Sequence, residues 1–465
     1  MLNKKLSRRT FLTAAGAATS ASLLAACAPA TNATEAVAAP AAIAVPPTAI
    51  PVATAVPPTA IPVATPASIS SDPVRLLLGS HMEYLQALAP AYASVFGPTP
   101  EVELVTTPDL SVKLNSSMIA RRSPGDAVFV TAALIAGMAE KGWLTDLSDL
   151  VNDKLLPNGM IANSLTAARY NGKMYGVPVT IGAPIMHWNK NLLKAAGLDP
   201  EAPSGWHSTP GSYQTMLEFA LAVNDPANNI YGIADNWGGV GSGFTFGWLL
   251  QAAGGSFLDA ELNPVMNSEA GVEALTRMVE LLHLHKVIDP AAVTYTWVFD
   301  ASPAYISGQR GFFFTWPFIA GIANGSPDSA LVGKSGFAPN PSLLTSASVD
   351  GSEFLAVPSF ADNPDGGRQF IELATSLENQ IVQGSSSPWA PSVNAAFADP
   401  SVAANLPFAE VIRQSYQYPV DGGYSTDRER WLEILCGQIS RALAQDVTPK
   451  KALDEAVAQI RTSRA

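Results

Sequence analysis

Short runs of apolar residues alternate along the chain with longer segments in which apolar residues recur every three or four positions. The short runs predict buried strands, whereas the longer spacing predicts amphipathic helices. The predicted strands include residues 74–78, 101–105, 127–130, 312–314 and 354–357. Strands that alternate with helices in this way predict an α/β architecture between residues 73 and 465.

Helices are predicted between these strands and at the carboxyl end. Apolar stripes over residues 272–282 and 370–377 each cover one helical face. The final helix has the clearest start signal, because Thr448 can cap its N-terminus and Pro449 suits its first turn. Its predicted buried face carries Leu453, Ala456, Val457 and Ile460.

Residues 1–26 predict a cleaved export signal rather than a membrane-spanning helix, because the apolar stretch is short and contains polar residues. The segment Ser7-Arg8-Arg9-Thr10-Phe11-Leu12 is similar to a twin-arginine signal. Leu24-Ala25-Ala26-Cys27 is similar to a lipobox, in which the Cys27 thiol accepts a diacylglycerol. A chance cysteine in an apolar stretch is the alternative interpretation. We therefore expect an extracytoplasmic protein that is attached to the cell membrane through lipid on Cys27.

Residues 27–72 differ in composition from the rest of the chain, with many Pro, Ala and Thr and almost no charge. Residues 44–54 recur without change as residues 55–65. Proline-rich, low-complexity sequence of this kind favours extended polyproline II structure and cannot build a core. We predict that this segment is a tether between the lipid anchor and the folded body.

Charge and cysteine content exclude several classes of protein. The chain has 27 Lys and Arg against 39 Asp and Glu, a formal net charge of −12, which argues against nucleic acid as a partner. Its two cysteines and five scattered histidines give no metal-binding spacing, so no metal or other cofactor is expected. Cys436 lies in an apolar helical pattern and is predicted to be a small buried side chain.

Tryptophans in predicted loops are more prominent than any catalytic motif. The sequence has no Gly-x-Ser-x-Gly elbow and no Gly-x-x-x-x-Gly-Lys-Ser/Thr phosphate loop. Trp237 and Trp316 each follow a predicted buried strand, at the end where open α/β sheets bind ligands. Trp389 lies in another predicted loop. Flat aromatic faces can stack on sugar rings or other small ligands, and packing beneath a loop is the alternative for each of them.

Two neighbouring segments carry a family resemblance. Residues 171–178 are Asn-Gly-Lys-Met-Tyr-Gly-Val-Pro, and residues 187–198 are His-Trp-Asn-Lys-Asn-Leu-Leu-Lys-Ala-Ala-Gly-Leu. Residues 306–312, Ile-Ser-Gly-Gln-Arg-Gly-Phe, come shortly before Trp316 and extend the match. This pattern resembles the bacterial extracellular solute-binding proteins of ABC importers, family 1, which includes maltose and other sugar binders.

The resemblance implies a two-lobed clamp of the type II periplasmic-binding-protein-like class, with α/β lobes joined by crossing hinge strands. By the same motifs, residues 73–180 and 298–348 are expected to form the first lobe. Residues 181–297 and 349–465 are expected to form the second. The ligand would lie in the cleft between the lobes.

Candidate ligand contacts also follow from the resemblance. Trp316 falls where sugar-binding relatives place a stacking aromatic, and the segment from Trp237 to Trp248 falls on their second-lobe pocket loop. Trp188 departs from the family's usual Tyr, and residues 180–183 are small and apolar where many sugar binders carry an acid or an aromatic. The complete predicted set is Trp316, Trp237, Trp248, Phe244, Asn236, Glu83, Asp300 and Trp389.

The resulting hypothesis is a monomeric, non-enzymatic binding protein. It would capture a small neutral solute, a sugar or oligosaccharide, and deliver it to the transmembrane permease of an ABC importer. An exported, lipid-anchored enzyme that acts on polysaccharide is the alternative, although the sequence supplies no catalytic motif for it. A ligand sensor that feeds a signalling receptor would use the same clamp with a different partner.

Overall fold

The computed structural model describes residues 72–465. The predicted signal over residues 1–26, the lipidation site Cys27 and the tether up to residue 71 lie outside the described residues. Within residues 72–465, no helix is both long enough and apolar enough to span a bilayer.

Two β-sheets form the framework of the protein. The first has the strand order β2-β1-β3-β11-β6, and the second has the order β10-β7-β9-β8, with a separate β4-β5 hairpin. Strands β1, β2 and β3 are parallel, and β11 runs antiparallel between β3 and β6. The strands are β1 Arg75–Gly79, β2 Glu101–Val105, β3 Ala127–Thr131, β4 Arg169–Tyr170, β5 Lys173–Met174, β6 Val177–Thr180, β7 Ile185–Asn189, β8 Tyr231–Ala234, β9 Arg310–Thr315, β10 Ser335–Ala338 and β11 Glu353–Ala356.

Helices surround both sheets. The α-helices are Ala89–Phe96, Thr107–Ile119, Ala132–Glu140, Ser148–Leu150, Lys190–Ala195, Ser212–Val223, Val240–Ala252, Glu269–His283, Val298–Ile306, Phe318–Gly325, Pro364–Ala374, Leu377–Ser386, Pro400–Asn405, Ala409–Ser415, Arg428–Leu443 and Pro449–Arg464. Shorter 3-10 segments are Ser80–Leu88, Ala162–Ala168, Ala202–Ser208, Pro226–Asn228, Pro290–Thr294 and Asn394–Ala398, and Val151–Leu155 is a π-helical turn.

Each sheet supports its own hydrophobic core, which defines two lobes. Strands β1, β3 and β11 supply buried residues to the first-lobe core. The second-lobe core joins strand β9 to the two C-terminal helices. The Thr448 side chain accepts a hydrogen bond of 3.3 Å from the backbone N–H of Lys451, so the predicted cap of the final helix is confirmed. Cys436 is buried in this core, as its helical context predicts.

The sheets divide the chain differently from the expected lobe boundaries. Residues 298–348 contain β9 and β10, which pair with β7 and β8 in the second sheet rather than in the first. Residues 349–465 begin with β11, which pairs with β3 and β6 of the first sheet. Apolar runs show that these segments are strands, but they do not encode which strands will pair.

The chain passes from one lobe to the other through three connections. Residues 181–184 lead from β6 to β7, and residues 339–352 lead from β10 back to β11. The two connections contact each other, because the backbone N–H of Gly351 donates a hydrogen bond of 2.7 Å to the carbonyl of Gly182. A third connection leads from helix Leu377–Ser386 of the first lobe to helix Arg428–Leu443 of the second.

Candidate ligand-binding cleft

A cavity of about 350 Å³ lies between the two sheets, and we call it the cleft. Its first-lobe wall is built at the carboxyl ends of β3 and β6 and at the start of the antiparallel β11. Its second-lobe wall includes the residues that follow β9. The lining residues are His81, Phe129, Thr131, Thr180, Ile181, Gly182, Trp297, Trp316, Pro317, Phe318, Gly351, Glu353, Pro388, Trp389, Ala390, Phe408 and Ile412. Strand ends meet at one edge of a sheet, which is where open α/β sheets bind ligands.

Aromatic rings provide much of the cleft wall. Trp316 follows β9 and meets Phe244 edge to face, with 5.4 Å between the ring centroids. The Trp316 ring also lies against the backbone of Gly351, where an added Cβ would be 2.2 Å from the indole. Only glycine at position 351 therefore lets the indole approach the hinge backbone so closely. Trp297 and Trp389 contribute further indoles to the lining of the cleft.

The polar groups of the cleft are few and carry no fixed positive charge. His81 Nε2 lies 2.9 Å from Glu353 Oε1, and the other Glu353 oxygen is buried without a hydrogen-bond partner. None of the described residues that line the cleft is Lys or Arg. A buried acceptor oxygen costs free energy until a donor reaches it, so Glu353 favours a ligand that brings a hydroxyl or another hydrogen-bond donor.

A small recess in the second lobe adjoins the cleft and shares Trp297 and Trp316 with it. Its wall includes Asp235, Asn236 and Trp248. The indole N–H of Trp248 is buried without a hydrogen-bond partner, while its ring stacks on Phe314. The recess therefore offers an unpartnered donor beside a carboxylate.

Asp235 is the one titratable side chain among the described residues that line the recess. Burial raises the pKa of Asp235 to about 6, and hydrogen bonds from the Thr245 hydroxyl and the Asn236 backbone partly oppose that rise. Among the described residues, no cluster of His, Cys, Asp and Glu has a geometry that would hold a metal ion. Asp235 is thus placed to accept hydrogen bonds rather than to ligate a metal.

A buried hydrogen-bond network joins the three lobe connections beside the cleft. The Tyr416 hydroxyl lies 2.5 Å from Asp350 Oδ1 and 3.0 Å from the Gly182 carbonyl oxygen. Ser352 donates to the same carboxylate oxygen, and Tyr424 donates to the other. Burial raises the pKa of Asp350, while these hydrogen bonds oppose the rise. The network holds the segments that any lobe movement would have to bend.

Tyr416→Phe is expected to lower the free energy of unfolding by about 1–2 kcal/mol, because it removes one hydrogen bond to a buried carboxyl group. Urea unfolding at neutral pH would measure the loss. Tyr418→Phe is the matched control, because the Tyr418 ring lies near His207, outside this network. Equal losses in the two variants, or no loss in Tyr416→Phe, would contradict the role assigned to the network.

Comparison with known proteins identifies the chain's family. The model of the family described as "Bacterial extracellular solute-binding protein" matches residues 78–381. The chain belongs to this family. The two-lobed α/β fold expected for this solute-binding protein is confirmed, and its family favours a binding role over the enzymatic alternative.

Solved structures and a curated relative agree with this assignment. Maltose-bound MalE3 of T. maritima is 21% identical, with a TM-score of 0.69 over 83% of this chain and 99% of that chain. A solute-binding protein of Agrobacterium radiobacter in complex with ribitol is 22% identical, with a TM-score of 0.67 over 84% and 98%. A probable amino-acid ABC transporter periplasmic-binding protein of Sinorhizobium fredii is 25% identical over 62% of this chain. The chain matches 63% of that relative's length.

Five of the predicted contacts of this solute-binding protein line the cleft or its recess. Trp316 lines both, Trp389 lines the cleft, and Asn236, Phe244 and Trp248 line the recess. Asn236 and Trp316 follow β8 and β9, whereas Phe244 and Trp248 lie on helix Val240–Ala252. Their contact with a ligand stays a prediction.

Three predicted contacts lie elsewhere. Trp237 is only 2% exposed and packs in the second-lobe core, where its indole donates to Thr245. The Asp300 carboxylate accepts backbone hydrogen bonds from Thr296 and Trp297 and so caps helix Val298–Ile306. Glu83 lines a neighbouring groove rather than the cleft. A loop position after a strand does not reveal whether the side chain points into the core or into the cavity.

Sequence reasoning also missed the three titratable side chains among the described residues of the cleft and recess. Asp235 directly follows β8, so its strand-end position was a usable signal. His81 follows β1 in the same way. Glu353 begins β11, and only the antiparallel direction of that strand brings it to the cleft, which the sequence pattern does not show.

Proposed function

We propose that this protein captures a small, neutral, hydroxyl-rich solute, a sugar or a polyol, by closing its two lobes on the cleft. The observation that carries this proposal is the cleft itself. Aromatic faces from both lobes surround a few buried hydrogen-bonding groups, and none of its described lining residues is Lys or Arg. Aromatic faces and isolated hydrogen-bonding groups together suit the alternating apolar and hydroxyl surfaces of carbohydrates.

The charge of the cleft supports a neutral ligand over an amino acid. An amino acid would bring a carboxylate close to two acidic side chains, Glu353 in the cleft and Asp235 in the adjoining recess. Burying a carboxylate without a cationic partner is costly. The similar solved structures are bound to maltose and ribitol, whereas the Sinorhizobium fredii relative is named for amino acids. We therefore favour the sugar or polyol class.

Lobe closure provides the mechanism of capture. The lobe connections and the Asp350–Tyr416 network lie beside the cleft, so bending there would bring Trp316 of the second lobe towards the first-lobe wall. The closed form would then dock on the transmembrane permease of an ABC importer and release the solute. A ligand that contacts both lobes binds the closed form more tightly and thereby shifts the population towards it.

The proposed location is the extracytoplasmic face of the cell membrane. The twin-arginine-like signal and the lipobox support export followed by lipid attachment at Cys27, and the proline-rich tether would hold the folded body away from the bilayer. The acidic composition would repel anionic lipid headgroups, so the acyl chains would provide the attachment. We propose that the protein acts as a monomer.

Thermal unfolding of the purified protein would test the ligand class. We would screen monosaccharides, oligosaccharides, polyols and amino acids, because a ligand that binds only the native state stabilises it by about 2.7 kcal/mol at a hundredfold excess over Kd. A rise in Tm of a degree or more with sugars or polyols is the expected result. Stabilisation by amino acids alone would overturn the proposed class. Turnover of a polysaccharide would support the enzymatic alternative. A protein that binds its solute tightly but does not interact with any permease would favour the sensor.

A further inference from the structure

We propose that the bound solute is an oligosaccharide of two or more units, which runs from the cleft past Trp389 into a second cavity; this inference rests on the function proposed above. The second cavity, which we call the side groove, has a volume of about 450 Å³. It lies between the 3-10 segment Ser80–Leu88 and helix Leu377–Ser386 of the first lobe.

The side groove and the cleft adjoin each other and share part of their lining. His81, Pro388 and Trp389 line both cavities. The indole N–H of Trp389 donates a hydrogen bond of 3.1 Å to the His81 carbonyl, and the two rings meet edge to face at 5.6 Å. This contact fixes the indole at the junction, where it could stack on a sugar unit that enters either cavity.

The side groove contains polar groups that the protein leaves unpartnered. Gln383 is only 4% exposed, and its amide nitrogen has no hydrogen-bond partner. Its amide oxygen accepts a hydrogen bond of 3.0 Å from Gln380, which orients the side chain. The Tyr84 hydroxyl is also buried without a partner. Buried donors are almost always satisfied, so these two groups point to a ligand that supplies acceptor oxygens.

The remaining groove residues fit the same chemistry. Glu83 and Asn379 add hydrogen-bonding groups, and Leu85 and Val382 add apolar surface. None of the described residues that line the groove is Lys or Arg, so the groove matches the cleft in charge. Small-molecule pockets typically have volumes of about 300–1,000 Å³. Each cavity is therefore large enough for a small solute, and filling both requires an elongated one.

Isothermal titration with saccharides of increasing length would test this inference. The probes are glucose, maltose, maltotriose and maltotetraose, together with the β-linked series from cellobiose to cellotetraose. We expect the affinity for one series to rise about tenfold or more between the single unit and the length that reaches the groove. Tyr84→Phe and Gln383→Met should reduce the affinity for the longer members by about threefold to tenfold and leave that for the single unit unchanged.

The variants separate a groove effect from a folding effect. The Tyr84 hydroxyl makes no hydrogen bond in the free protein, so Tyr84→Phe should leave the Tm of the free protein unchanged. Tyr170→Phe, on the β4-β5 hairpin, is the matched control and should bind every length as the wild type does. Binding of glucose with no gain from added units would overturn this inference alone. An equal loss for all lengths would also overturn it. Failure of every saccharide in both series would overturn this inference, whereas a rise in Tm with a polyol or another sugar in the thermal screen would show that the proposed function still holds.

Discussion

Trp316→Ala is expected to weaken ligand binding by about 30-fold or more, which corresponds to about 2 kcal/mol. Trp316 lines both the cleft and the recess, so its indole would contact ligand in either cavity. Truncation would also leave the Gly351 backbone and the Phe244 ring without their aromatic neighbour. Isothermal titration with the sugar or polyol that gives the largest thermal stabilisation would measure the loss, and Trp316→Phe should restore part of the affinity.

A control variant distinguishes this loss from a general effect of removing a tryptophan. Trp143 packs against the first-lobe core away from the cleft, with Lys141 over its ring. Trp143→Ala should change stability but not affinity. Unchanged affinity in Trp316→Ala, at a temperature where both variants are fully folded, would mean that the ligand does not occupy the cleft.

Asp235→Asn is expected to stabilise the unliganded protein by about 1–3 kcal/mol at neutral pH. Burial raises the pKa of Asp235 from 3.8 to about 6. Between about pH 4 and pH 6 the folded protein therefore holds a proton that the unfolded chain has lost, so the free energy of unfolding falls as the pH rises. An amide at position 235 does not titrate. The stability difference between variant and wild type should grow across this window and stay constant above it.

Urea unfolding at a series of pH values would measure that difference. Comparison with the wild type isolates Asp235, because other buried acids such as Asp350 remain in both proteins. Asp300→Asn is the control, since Asp300 is an exposed helix cap outside the recess. A stability difference that does not change with pH, or a variant that is less stable at pH 7 than the wild type, would contradict the assigned burial of the Asp235 charge.

The protonation state of Asp235 should also affect ligand affinity. Affinity should rise with pH, whereas the free energy of unfolding of the unliganded protein falls. A carboxylate accepts hydrogen bonds from solute hydroxyls at more sites than the protonated acid does. The affinity of the wild type is thus expected to weaken as the pH falls below about 6, where Asp235 gains its proton. Asp235→Asn should bind more weakly at neutral pH and lose this pH dependence.

Local patterns in the sequence predicted the local structure well. The final helix carries its own signals, Thr448 at the cap and Pro449 in the first turn, and neither depends on distant residues. The apolar stripe across residues 370–377 predicted one helical face, which was only partly correct. The structure breaks it into two helices, because Ser376 caps a new helix that begins at Leu377.

Long-range arrangement was harder to predict than the elements themselves. Strand β9 was recognised from its phenylalanines, but its lobe was assigned wrongly, since pairing with β7 depends on residues more than a hundred positions away. The same limit applies to the cleft. Trp237 and Trp316 look alike as loop tryptophans after strands, yet one packs in the core and the other lines the cavity. Only the relative placement of helices and strands separates them.

The position of β11 has a consequence for how the protein folds. Val130 of β3 pairs with Phe354 of β11, so the first-lobe sheet cannot be completed until all four strands of the second sheet have been synthesised. Pairing between such distant segments must close a long loop before it gains any contact energy, which slows folding. If residues 1–26 act as the proposed twin-arginine signal, this slow step would precede export. Partly synthesised chains would meanwhile expose the unpaired edges of β3 and β6, where cytoplasmic chaperones could bind.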